Sequence, residues 1–201
     1  MLIGFALLLN SLVAGTAVAA QTVLVFGDSL SAGYGIAAGQ AWPDLLDARF
    51  RADGGRFHVV NASISGETTA GGRARLDGAL DQFKPTVLVL ALGANDGLRG
   101  LPPAQMQDNL RAMVRLSKTR GIRVLLIGMK LPPNYGPDYT QAFEAGFSGV
   151  AKSEKVALLP FLLAPIANQP EAFQVDRLHP VAAVQARLLE HIYPALAPLL
   201  K

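Results

Sequence analysis

Short runs of aliphatic and β-branched residues alternate with longer stretches of helical period along this chain of 201 residues. Residues 22–26 (TVLVF) are apolar throughout and read as a buried strand ending at Gly27. Residues 57–61, 86–92, 123–129 and 156–159 repeat that signature. An unbroken apolar run too short for a helix suits a strand covered on both faces, as in a parallel sheet. Between these runs, residues 40–51 carry Trp42, Leu45, Leu46 and Phe50 at helical spacing, and residues 68–83 carry Leu76, Leu80 and Phe83. Residues 102–120, closed by Gly121, and residues 138–152 and 180–193 complete five predicted helices. Strands separated by helices of this length imply βαβ units. The expected fold class is therefore α/β: a three-layer α/β/α sandwich with a flavodoxin-like parallel sheet of about five strands, filling residues 21–201 as one domain. Ligands in such sheets sit beyond the carboxyl ends of the strands. That rule singles out the loops at residues 27–33, 62–66, 93–103 and 130–136.

Residues 1–20 break the pattern. Residues 1–9 are almost wholly apolar, Asn10 and Ser11 interrupt the run, and Ala17-Val18-Ala19 offers a small-x-small cleavage site, with Val18-Ala19-Ala20 nearly as good. The stretch is too short and too interrupted for a transmembrane helix. A cleaved signal peptide over residues 1–20 is expected, and with it a periplasmic or secreted protein. No Lys or Arg precedes the apolar run, although such leaders ordinarily carry one.

Composition narrows the function classes. Hydrophobic residues make up 51% and charged residues 16%, as in a compact globular protein. The net charge of +3 comes from 18 basic and 15 acidic residues, with the basic ones dispersed. A nucleic-acid surface needs them clustered, so no nucleic-acid partner is expected, and no obligate protein partner is evident. With no cysteine, disulfides and thiolate metal sites are excluded. No cluster of His and carboxylates has metal-ligand spacing, so neither metal nor cofactor is expected.

The candidate chemistry lies on the loops already singled out. Ser29, in Gly27-Asp28-Ser29-Leu30-Ser31, follows the first strand, where a helical turn starting at Asp28 or Ser29 would aim backbone N–H groups at developing negative charge. A neutral serine is a weak nucleophile and needs a base, itself oriented by a third group. Asp176-Arg177-Leu178-His179-Pro180 supplies both on one tight loop, and Pro180 is expected to open the last helix. The other histidines, His58 and His191, fall on a predicted strand and helix and read as structural. Acyl transfer also needs donors for an oxyanion. Gly66 follows the second strand and Asn95, in Gly93-Ala94-Asn95-Asp96-Gly97, follows the third.

These blocks resemble the SGNH (GDSL-type) hydrolase family: Gly27-Asp28-Ser29-Leu30, Ser65-Gly66-Glu67-Thr68, Gly93-Ala94-Asn95-Asp96 and Asp176-Arg177-Leu178-His179-Pro180, in that order. The resemblance covers residues 21–200. It implies Ser29 as nucleophile, His179 as base, Asp176 as its orienter, and Ser29 N–H, Gly66 N–H and the Asn95 amide as the oxyanion hole. Within the family, residues 95–100 (NDGLRG) and 131–136 (LPPNYG) look most like the bacterial periplasmic esterases described as acyl-CoA thioesterase, lysophospholipase and arylesterase. That closer resemblance implies acyl esters and thioesters as substrates, lysophospholipid at a membrane surface among them. It also implies that the loop at residues 97–102 moves on substrate binding.

The flanking loops are apolar, offering Leu30, Leu98, Leu131, Pro132 and Tyr135 as candidate substrate-binding residues, with Leu101, Pro133, Phe143, Phe161 and Leu178 beside them. Such a lining suits an acyl chain better than a sugar. Trp42, the only tryptophan, shares the spacing of Leu45 and Leu46 and reads as core. The competing readings are a carbohydrate or cell-wall acetylesterase with the same triad and a non-catalytic flavodoxin-like binding domain. A receiver domain phosphorylated at Asp28 fits an exported chain poorly, and the absence of a G-x-S-x-G elbow disfavours the α/β-hydrolase fold.

Overall fold

The computed structural model describes residues 20–201, so the expected signal peptide lies, except for Ala20, outside the described residues. Five parallel strands, β1 (Gln21–Gly27), β2 (Phe57–Asn61), β3 (Val87–Ala91), β4 (Arg123–Ile127) and β5 (Ala157–Leu159), form one sheet in the order β2-β1-β3-β4-β5. Each predicted strand is present, β2 with the expected ends and the others with ends within two residues of them. In β1, Val23 and Val25 point into one core and Leu24 and Phe26 into another, all without solvent exposure. This two-sided burial explains why the strands carry no polar alternation.

The first core is closed by α2 (Trp42–Ala52) and α7 (Gln185–Leu196). Trp42 is fully buried there, and its backbone N–H donates to Gln185 Oε1 at 3.0 Å, joining the two helices. The second core is closed by α3 (Thr69–Phe83), α5 (Pro103–Thr119) and α6 (Pro137–Glu154). Two short helices, α1 (Ser29–Ala32) and α4 (Ala94–Leu98), follow β1 and β3 directly. Gly121, at φ 73°, donates its N–H to Lys118 O and stops α5 where the sequence places the stop.

The last helix departs from expectation. Pro180 does not open it: Pro180 pairs with Phe173 in an isolated antiparallel bridge, and the Val181 N–H donates to Ala172 O at 2.9 Å. The chain stays extended through Val181, forms a 3-10 turn at Ala182–Val184, and only then enters α7. The proline's missing N–H suits the outer side of a bridge as well as the first turn of a helix, and the backbone partners decide between them.

The chain runs from β1 outward to β2, then returns past β1 to β3. The strand order therefore reverses between β1 and β3, and the crevice beyond their carboxyl ends is where such a fold receives a ligand.

Candidate active site

Asp28 caps α1: its Oδ1 accepts from the Leu30 N–H at 3.0 Å, which sets Ser29 at the first position of the turn. On the far side of the crevice, residues 173–181 form a braced loop. Gln174 N–H donates to His179 O at 2.8 Å, and its side-chain amide donates to Tyr34 O at 2.8 Å and Pro180 O at 3.2 Å. Within this loop Asp176 Oδ1 accepts from the backbone N–H groups of Leu178 at 2.9 Å and His179 at 3.0 Å. Its Oδ2 lies 2.7 Å from His179 Nδ1. The side-chain hydrogen bond from His179, followed by those backbone donors, holds the Asp176 carboxyl down at about 2 from its ordinary 3.8.

An ionised carboxylate only accepts, so His179 Nδ1–H donates to Asp176. That tautomer leaves Nε2 as an acceptor, and the Ser29 hydroxyl stands 2.8 Å from it. The structure thus brings together three residues from opposite ends of the chain in hydroxyl–imidazole–carboxylate sequence, the geometry in which a hydroxyl loses its proton as it attacks.

Gly66 and Asn95 lie on the same crevice. Gly66 adopts φ 80°, and its carbonyl accepts from Arg99 Nη2 at 2.8 Å, which fixes the orientation of the peptide that follows it. The amides of Ser29 and Gly66 donate to no acceptor among the described residues. Asn95 Nδ2 donates to Glu67 O at 3.0 Å and, at the longer distance of 3.4 Å, to Asp28 Oδ2. The chain can turn from β3 into α4 because Gly93 adopts φ 123°, where a Cβ would also lie 2.8 Å from Phe147 Cζ. Asp96, buried beside Asn95, accepts from the Thr69 N–H at 2.8 Å and hydroxyl at 2.5 Å, tying α4 to the start of α3.

Asp28 itself is 2% exposed, and burial raises its carboxyl to about 6 against the pull of the Leu30 N–H and of His179. Tyr34 was not expected at the site. Its ring centroid lies 4.5 Å from that of His179, tilted 40°, and it lines the crevice. An aromatic between Gly33 and Gly35, both at positive φ, is the only sequence feature that marks it.

The crevice encloses about 610 Å³. Leu30, Leu98, Leu131 and Pro132 line it as expected positions, together with Met129 and Leu163 from outside the expected set. Tyr135 stands behind the wall instead: its hydroxyl donates to Leu98 O at 3.0 Å, so it braces the lining and is not part of it. Leu101 is also off the lining, and Phe143 is buried in the second core edge-on to Phe147. His58 bonds Thr22 Oγ1 at 3.1 Å across β1 and β2, and His191 Nε2 donates to Phe161 O at 2.9 Å, both apart from the crevice lining. Among the described residues, no three His, Asp or Glu side chains are grouped to hold a metal ion, and no helix is long and apolar enough to cross a membrane.

Residues 25–187 match the model of the GDSL-like Lipase/Acylhydrolase family. The chain is 50% identical over 182 residues to Esterase TesA of Pseudomonas aeruginosa, covering 90% of each. It is 41% identical over 183 residues to Thioesterase 1/protease 1/lysophospholipase L1 of Escherichia coli strain K12, covering 91% of this chain and 86% of that one. Among solved structures, the psychrotrophic esterase EstA from Pseudoalteromonas sp., inhibited by monoethylphosphonate, superposes with a TM-score of 0.85 at 38% identity, covering 90% of this chain and 98% of that one.

Proposed function

This chain belongs to the GDSL-like lipase/acylhydrolase family and is a serine esterase of it, and from that premise we propose that Ser29, His179 and Asp176 cleave acyl esters and thioesters through an acyl-enzyme. The reading rests on one observation: the Ser29 hydroxyl is 2.8 Å from His179 Nε2, whose other nitrogen is 2.7 Å from Asp176, at the head of an apolar crevice. His179 takes the Ser29 proton as Oγ attacks the carbonyl carbon, then gives it to the departing alcohol or thiol. Water, deprotonated by the same imidazole, releases the acid and restores Ser29. Asp176 keeps the tautomer and stabilises the imidazolium between these steps.

The amides of Ser29 and Gly66 and the Asn95 side chain receive the oxyanion. Two of these donors have no competing acceptor, and the third gives up only a long bond to Asp28. Donors already in position need no rearrangement as charge develops. The acyl chain lies along Leu30, Leu98, Leu131 and Pro132. The substrates are small-molecule acyl esters and thioesters, acyl-CoA and lysophospholipids among them, and relatives carry the names esterase, arylesterase, thioesterase and lysophospholipase. The protein works in the periplasm or outside the cell after losing residues 1–20.

The test is hydrolysis of p-nitrophenyl esters of increasing acyl length by residues 21–201. Ser29→Ala should cost roughly 10⁴–10⁶-fold in kcat while leaving the fold intact, because members of such a triad act as a unit. Near-full activity in Ser29→Ala would remove the nucleophile assignment. An optimum at medium chain length supports the acyl-chain lining, and a sharp preference for acetyl would favour the sugar acetylesterase.

A further inference from the structure

Arg177 stands between Asp176 and His179, and its side chain lines the crevice. Every other arginine of the chain is held among the described residues by a carboxylate, a carbonyl or amide oxygen, or an aromatic ring. The Arg177 guanidinium has no such partner among them. Its backbone is also unusual. Among the described residues, three other than glycine adopt positive φ, and two of them, Lys84 and Lys155, end α3 and α6, where the left-handed conformation is the ordinary helix stop. Arg177, at φ 58°, ends no helix. A residue with a Cβ is disfavoured there, and glycine would adopt the same backbone freely.

The charged side chains on the otherwise apolar crevice lining are basic. No carboxylate is among the lining residues, whereas Lys130 faces it from the loop after β4. Lys130 is only loosely committed, to Glu144 at 3.1 Å with both side chains well exposed. An exposed pair of this kind holds its members weakly. The nearest anion to Arg177 in sequence, Asp176, already receives three hydrogen bonds from His179 and Leu178.

Position decides which part of a substrate meets this cation. His179 delivers its proton to the leaving atom, so the alcohol or thiol portion extends from Nε2 toward the loop that carries His179. The acyl portion lies along the apolar wall. On the esterase reading above, we propose that Arg177 is a specificity-determining residue that binds a phosphate carried on the leaving group. A planar guanidinium gives a phosphate two parallel hydrogen bonds, which an ammonium cannot.

Binding of two ether-linked, uncleavable ligands tests this without requiring turnover: a 1-O-alkylglycerol and its 3-phosphate, both kept below micelle-forming concentrations. The wild-type protein should bind the phosphorylated ligand ~10-fold more tightly, the scale of one charge-assisted contact at a wet site. That preference should shrink at about 1 M salt, where the Debye length is about 3 Å. Arg177→Gly, which suits the backbone, should abolish the preference with an unchanged melting transition, and Arg177→Lys should restore part of it. A preference unchanged in Arg177→Gly both for the glycerol pair and for an acyl-CoA over the matching acyl-pantetheine overturns the proposal. So does equal weakening of both ligands, which would mark Arg177 as a support for the Asp176–His179 loop. Comparing an acyl-CoA with the matching acyl-pantetheine separates the sources: an effect of Arg177→Gly confined to the glycerol pair assigns a lipid headgroup, and one confined to the thioester pair assigns the nucleotide phosphates. Failure of the wild type to hydrolyse the neutral monoacylglycerol would strike the esterase reading, and the ether-binding result would stand apart from it.

Discussion

At the residue scale, Asp28 is the group whose environment most contradicts its chemistry. It caps α1 and faces Asn95, yet it is buried enough to hold its proton up to about 6. A carboxyl with a folded-state value raised above its ordinary 3.8 makes the folded protein bind protons more tightly than the unfolded chain between those two values. Stability contributed by Asp28 is therefore lost as pH rises from about 4 through about 6. Asp28→Asn keeps an oxygen for the Leu30 N–H and removes the titration. Its melting temperature should gain on the wild type as pH climbs through that window, and a constant offset across pH would show that the burial of Asp28 carries no such linkage. The hydrogen-bonded grouping of the proposed triad was legible in the sequence. The four blocks that resemble the SGNH family pointed to Ser29, His179 and Asp176 together, where each block alone also reads as a turn or cap, and the structure puts the three within hydrogen-bond distance. What the sequence could not disclose are properties that exist only after packing: the burial of Asp28, the ring of Tyr34 on His179, and the left-handed backbone of Arg177.

At the scale of elements, the site depends on how α4 is moored to α3. Thr69 donates twice to Asp96, and Asn109 from α5 donates to the Thr69 hydroxyl at 3.2 Å, so one buried hydroxyl joins three helices. Thr69→Val preserves the shape and removes that hydroxyl, leaving an aspartate oxygen and an amide hydrogen unpaired. The cost should be about 1–3 kcal/mol in urea unfolding, with a fall in kcat because Asn95 and Gly66 lie at the two ends of this mooring. A stability equal to wild type would show that water replaces the hydroxyl. The strands and their order of appearance followed from apolar runs and helix spacing, which are local signals. The start of α7 did not. The bridge between Pro180 and Phe173 is a pairing with residues upstream, and a proline beside a predicted helix carries the same local signal whether it opens that helix or ends a bridge. Tyr135 shows the same limit, since Leu131, Pro132 and Pro133 shortly before it line the crevice while its hydroxyl turns back to brace Leu98.

At the scale of the whole molecule, both cores and all five strands lie within residues 21–201, and β1 begins at Gln21, the residue after the proposed leader. The chain expressed from residue 21 should therefore fold in one cooperative transition and hydrolyse esters as fast as the exported product. Sequencing the amino terminus of that product should find Ala20 or Gln21, and an intact Met1 would exclude cleavage. The order of the reactive groups along the chain also has a consequence in time. Ser29 follows the first strand, while Asp176 and His179 wait on the last loop before the final helix. Because the ribosome makes proteins from the amino end, the proposed nucleophile is present through nearly the whole of synthesis without its proposed base. On the proposed assignment the chain stays chemically silent until its last segment docks, so the onset of ester hydrolysis should report that a molecule is both fully synthesised and closed.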